Sequence, residues 1–334
     1  MITKEGSMRT RKANLRYRLT VFIVLAGLSA IILTSYSPLS LATSEARKPS
    51  PSSDKVGAVA VSKSKSSFPG RLMPVGANAQ LTAGGGAIHS ILQSGLSVGP
   101  GPLISVNAAS FADKLAPDSI VAGFGSNLAT TTQSAQSLPL PITLAGARVR
   151  VIDSARIARF APLLFVSPTQ INYIMPPGTS DGLATVDVIP EGGGSVIASG
   201  GAQITTVAPG IFTVSGTGSP PTAAGQWLRY SGEVLVDSGS LETPIAFGDP
   251  GDKVYLVLYG TDIRNRSSLS AVSATVGGSS AVVKYAGPQG GLDGLDQINV
   301  LIAPAPGFEG LAQMNVVVTV DGVAANTVKV TAGK

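Results

Sequence analysis

Val234-Leu235-Val236-Asp237-Ser238-Gly239-Ser240 has the form of an aspartic-protease loop, in which a hydrophobic strand delivers an aspartate and a Ser-Gly turn orients it. That chemistry needs two carboxylates sharing one proton. No second Asp-Ser/Thr-Gly stands in the other half of the chain, so this one reads as an ordinary turn. Asp262, Asp293 and Asp296 would offer oxygens to Ca²⁺, which takes about six to eight of them, but their spacing fits no EF-hand loop. Capping backbone amides is the other use of such turn carboxylates. The single histidine, His89, lies in a Ser/Gly-rich stretch, which leaves a Ser/His/Asp triad without a base in either half. With no cysteine and one histidine, zinc has no ligand set. Gly277-Gly278 and Gly290-Gly291 lack the strand-to-helix setting of a phosphate cradle. These residues point away from catalysis, and no metal or other cofactor is expected; the alternative is a secreted carbohydrate-active enzyme or peptidase of unrecognised type.

Binding chemistry has better candidates. Trp227, Tyr230, Tyr255 and Tyr259 would make a sugar-stacking surface if they stood in an open row, and core filler if they were buried. Gln170 and Asn172 recur 127 residues later as Gln297 and Asn299, inside Gln170-Ile171-Asn172-Tyr173 and Gln297-Ile298-Asn299-Val300. In a strand each amide pair points to one face and the intervening isoleucine to the other. The amides are expected to be structural, hydrogen-bonding the backbone of the loop before the strand.

The elements that must carry these residues are strands. The repeated segment has the same neighbours in the same order, so one structural unit is written twice. Pro250 to Thr261 matches Pro117 to Ser126, and Ala147-Arg148-Val149-Arg150-Val151 and Ala184-Thr185-Val186-Asp187-Val188-Ile189 alternate with period two. Asp321-Gly322 joins two further alternating runs, a strong hairpin signal. With 40 Gly, 23 Pro and only 13% charged residues, the composition suits short strands and tight turns. The fold expected is all-β: two tandem immunoglobulin-like β-sandwiches, at 103–214 and 215–334, after an N-terminal signal or membrane helix (1–42) and a disordered linker (43–102).

Net charge is +5, and residues 1–42 carry six basic side chains against Glu5 alone, so the whole excess sits there. The rest of the chain is balanced, which excludes the basic stripe that nucleic-acid binding needs. The basic stretch to Arg18 precedes an apolar run from Leu19 to Leu33, and Ser40-Leu41-Ala42 offers small residues to a signal peptidase. The chain is therefore expected to be exported, to the periplasm, the cell surface or the medium, with cleavage after Ala42. If the segment stays uncleaved, residues 19–36 anchor the chain and are its membrane contact.

Val106-Asn107-Ala108-Ala109-Ser110-Phe111, Phe124-Gly125-Ser126-Asn127-Leu128, Phe165-Val166-Ser167-Pro168-Thr169-Gln170-Ile171-Asn172-Tyr173, Ala208-Pro209-Gly210-Ile211-Phe212, Leu258-Tyr259-Gly260-Thr261 and Gly294-Leu295-Asp296-Gln297-Ile298-Asn299 together resemble the uncharacterised C-terminal domain of many exported proteins of Solibacter-type acidobacteria. That family is similar to IPT/TIG-type immunoglobulin-like folds, and the resemblance covers about 104–332. It implies the fold and export, and carries no activity or ligand. The function expected is a noncatalytic interaction or structural module whose partner is an extracellular protein or polysaccharide. Mass spectrometry of the exported protein is expected to find Thr43 at its N-terminus; an intact Met1 or Ile2 end in the membrane fraction would establish the anchor instead.

Overall fold

The computed structural model describes residues 99–302 and 311–333. The signal or anchor segment, the tether up to residue 98 with His89, and Ala303-Pro304 of the second repeat lie outside these residues. The described residues fall within one compact unit. They are almost entirely strands and turns; among them no helix is long and apolar enough to cross a membrane.

The alternating residues form strands as their period requires. In the first sandwich one sheet orders β1 (Ile104–Asn107), β2 (Ile120–Phe124), β6 (Gln170–Ile174) and β5 (Leu163–Val166). The other orders β8 (Ala198–Ile204), β7 (Gly182–Pro190), β3 (Ala147–Ile152) and β4 (Ala158–Ala161). Gly101–Pro102 runs parallel to β8, so the sandwich begins two residues before the expected boundary. Val121, Ile171, Tyr173, Val149, Val151, Val186 and Val188 meet in its core, while Arg148 and Arg150 alternate outward.

The second sandwich repeats this plan. One sheet orders β10 (Val234–Ser240), β9 (Gly225–Ser231), β11 (Lys253–Thr261), β14 (Asp296–Ile302) and β13 (Ser279–Pro288). Strand β13 turns the corner into the other sheet, where β12 (Val272–Val276), β15 (Ala312–Val320) and β16 (Val328–Gly333) follow. The register matches in the two copies: Asn172 pairs with Ala122 and Gln170 with Phe124, as Asn299 pairs with Val257 and Gln297 with Tyr259. The corner strand carries a bulge in both copies, with Leu164 as the extra residue in one and Lys284 in the other. In the first copy Pro162, which has no N–H to give a ladder, also separates β4 from β5.

The two copies share one further device. Asn127 and Asp262, at equivalent turns, adopt left-handed φ of 55° and 64°, and Leu128 and Ile263 then fold back over the strand end into the cores. Glycine must precede that turn. A Cβ on Gly125 would stand 2.7 Å from Leu128 Cδ2, and one on Gly260 2.5 Å from the Gly210 carbonyl oxygen and 2.8 Å from Ile263 Cδ1.

The sandwiches pack through the outer faces of β2 and β6 against the outer face of β11. Ile120, Ala122 and Ile174 of the first meet Phe212, Val257, Tyr259 and Leu295 of the second in a shared apolar layer. A polar seam closes its edge. Thr261 Oγ1 accepts the Ile120 N–H at 2.8 Å and donates to the Gly294 carbonyl at 2.9 Å. Asp262 Oδ1 accepts the Ala116 N–H at 2.7 Å, and its Oδ2 accepts from the amide of Asn107. Asn107 also donates to the Ala208 carbonyl and accepts from the Ala109 and Ser110 amides, so its orientation is determined by four partners.

Burial pushes the Asp262 carboxyl up to about 8, and the nearby Asp296 adds to the rise; Ser119, the Ala116 amide and Asn107 act in the opposite direction without reversing it. A carboxyl whose folded pKa is raised holds a proton that the unfolded chain releases above about pH 4, so its contribution is fullest below that pH and fades towards pH 8. The melting midpoint is expected to fall between about pH 5 and pH 8, and Asp262→Asn to flatten part of that fall. An equally steep profile in the variant would assign the slope to other groups.

Candidate functional site

The repeated amides sit on the outer faces of β6 and β14. In each copy the glutamine Nε2 donates to the asparagine Oδ1 two residues on, at 2.8 Å for Gln170–Asn172 and 2.8 Å for Gln297–Asn299. These hydrogen bonds run along the strand, side chain to side chain. That loop is held by Ser167, whose Oγ accepts the Gln170 N–H at 3.0 Å and whose N–H reaches the Gln170 carbonyl. Gln170 and Asn172 are buried, whereas Gln297 and Asn299 are half-buried and edge an open surface.

The four aromatic candidates do not form a row. Trp227 and Tyr230 are three residues apart on β9, so strand alternation sends them to opposite faces. Trp227 is 4% exposed and belongs to the second core, with Gly239 so close that a Cβ there would stand 2.7 Å from Nε1. Tyr259 shares a face with Tyr255 but lies under the first sandwich, 7% exposed. Tyr230 and Tyr255 remain. They are half-buried and meet edge to face, with ring centroids 5.7 Å apart and planes at 89°.

Register places other residues beside them. Leu235 stands opposite Tyr230, as does Lys253 on the other flank. Leu228, Tyr255, Leu301 and Val282 form the next line across four strands, and Gln226, Val257, Asn299 and Tyr285 the line after it. Leu235, Val282 and Tyr285 are 49%, 54% and 37% exposed, so the uncovered part of this face is an apolar strip with tyrosine rings and the Asn299 amide along it. The Tyr285 hydroxyl donates to the Pro288 carbonyl at 2.6 Å, which holds that ring in place. Tyr285, Leu301, Val282, Leu235 and Lys253 were not among the surface candidates that the sequence suggested. Tyr285 was recoverable in principle, because it holds the position of Phe165 in the first copy once both bulges are aligned.

The carboxylates are committed elsewhere. Asp296, fully buried, accepts the Ile263 and Arg264 amides and pairs with Arg264 Nε at 2.8 Å. Burial nonetheless raises its pKa, against the opposing effect of Arg264. Asp262 serves the seam, and Asp293 is exposed. Among the described residues no three His, Cys, Asp or Glu stand close enough to hold a metal ion. Asp237 lies within strand β10 rather than on a turn, and its carboxylate pairs with Arg229 at 3.1 Å. The Asp-Ser-Gly segment therefore does not have the loop geometry its sequence suggests.

Asn172→Ala is expected to lower stability by about 1 to 3 kcal/mol, because it removes a buried side-chain hydrogen bond. Asn299→Ala should cost less, since water reaches its partner. Chemical denaturation of both variants measures this, and equal losses would show that the open face is as dry as the covered one.

No family model matches the chain, and no curated protein matches it. Among solved structures it is similar to SGBP-B of the Bacteroides ovatus mixed-linkage glucan utilization locus, in complex with a mixed-linkage heptasaccharide. The identity is 12% and the TM-score 0.27; the match covers 66% of this chain and 44% of that one. The chain thus spans less than half the length of that protein.

Proposed function

We propose that this chain is a noncatalytic exported interaction module that holds polysaccharide on the open face of β9, β11, β14 and β13. The observation that carries this reading is the strip around Tyr230, Tyr255 and Tyr285. Its rings are anchored on a hydrogen-bonded sheet, so little side-chain entropy remains to be lost on binding. Tyrosine offers an apolar ring face to the C–H face of a pyranose and keeps a polar tip, and the flanking amides of Asn299 and Gln297 match sugar hydroxyls. Export follows from the N-terminal segment, and membership of the exported acidobacterial family belongs to the same proposal.

Polysaccharide pull-down and affinity electrophoresis with the full chain test it. Tyr255→Ala is expected to weaken binding at least about tenfold, as loss of a central aromatic anchor does, while the far-UV spectrum is retained. Binding that is untouched in Tyr255→Ala and in Tyr230→Ala would remove this face from the function.

A further inference from the structure

The outward residues of the strands under the open face include lysine and no carboxylate. Lys253 stands directly opposite Tyr230 and is exposed. Lys284 is the extra residue of the β13 bulge, next to Tyr285, and is exposed as well. Neither makes an ion pair among the described residues. The residues that register places outward with Tyr230, Tyr255 and Tyr285 are Leu235, Ser238 and Ser240 on β10, Gln226 and Leu228 on β9, Val257 and Tyr259 on β11, Gln297, Asn299 and Leu301 on β14, and Val282 on β13; no carboxylate is among them. Of the nearby acids, Asp237 and Asp252 both pair with Arg229, at 3.1 and 2.9 Å, while Glu233, in the hairpin turn between β9 and β10, is exposed. The bulge matters here, because the equivalent residue in the first copy, Leu164, packs into the layer between the sandwiches. One structural irregularity therefore serves packing in one copy and presents a cation in the other.

From this we infer that the ligand of the face is an anionic polysaccharide, its charge carried by uronate carboxylates or sulfate esters; this rests on the polysaccharide reading above. The tyrosines take the apolar face of the sugar ring. Lys253 and Lys284, on strands separated by two spacings or about 10 Å, take charges at separate points along the chain. Lysine suits this use, since an ammonium on a flexible stem meets an anionic group without demanding one geometry. Asn299, between the two lysine-bearing strands, is left for a hydroxyl.

The test compares the full chain binding to polygalacturonate, dextran sulfate and unmodified dextran at low and high salt. The expected result is tighter binding to one of the two anionic polymers than to dextran, weakening as salt rises; which of the two binds identifies the source of the charge. The double variant Lys253→Gln/Lys284→Gln should lose about fourfold or more in affinity and much of its salt dependence, with an unchanged melting midpoint. Tyr255→Leu, which keeps an apolar strand residue, should weaken anionic binding too. Dextran bound as tightly as the anionic polymers, or a double variant indistinguishable from the parent, overturns the charge inference and leaves the polysaccharide reading standing. Binding to none of the three and to no other polysaccharide overturns both.

Discussion

Thr261 and Asp262 hold the two sandwiches as one body, and most of what else the molecule does depends on them. They sit at the end of a central strand of the second sandwich and supply acceptors to the Ile120 and Ala116 amides of the first. A buried carboxyl without partners would be costly, so the geometry around Asp262 has to be near complete. Asn107 makes it so, since its own four partners leave its amide no other orientation. The seam decides which part of the β11 face is covered. Val257 and Tyr259 go under the first sandwich, and Tyr255, two residues away on the same face, stays accessible.

Duplication supplied the parts and tertiary context gave them different roles. Asn127 and Asp262 occupy equivalent turns with the same left-handed backbone, yet Asn127 is exposed and Asp262 is buried against another domain. Leu164 and Lys284 are the same bulge residue, one packed and one solvated. The Gln–Asn pairs make the same 2.8 Å hydrogen bond, one in the dark between sheets and one at the rim of an open surface. A repeat thus fixes backbone roles in both copies and leaves each copy's outer face free to diverge.

The functional reading follows from that divergence. The proposed binding surface is made of sheet rather than loops, and β9, β11 and β14 beneath it are each paired on both sides. Its aromatic side chains cannot rearrange to meet a deep or convex partner. They suit a ligand that is itself flat and extended and that presents the same features along its length.

Period-two alternation and the doubled Gln-Ile-Asn segment were enough to establish strands and an all-β sandwich fold, because strand formation and core burial are dictated by local pattern. Parity along β9 even contained the opposition of Trp227 and Tyr230, which the grouping of four aromatics overlooked. Which outer face would be covered was not legible, since the apolar residues that join the sandwiches, such as Ala122 and Val257, look in sequence like any other strand residue. Nor could a carboxylate's partner be read, because Asp262 meets Asn107 across 155 residues. The sequence by itself determined what each residue would do within its own strand and sheet; the docking of one sheet on another decided which tyrosines meet solvent, because burial is set by contacts that no local pattern encodes.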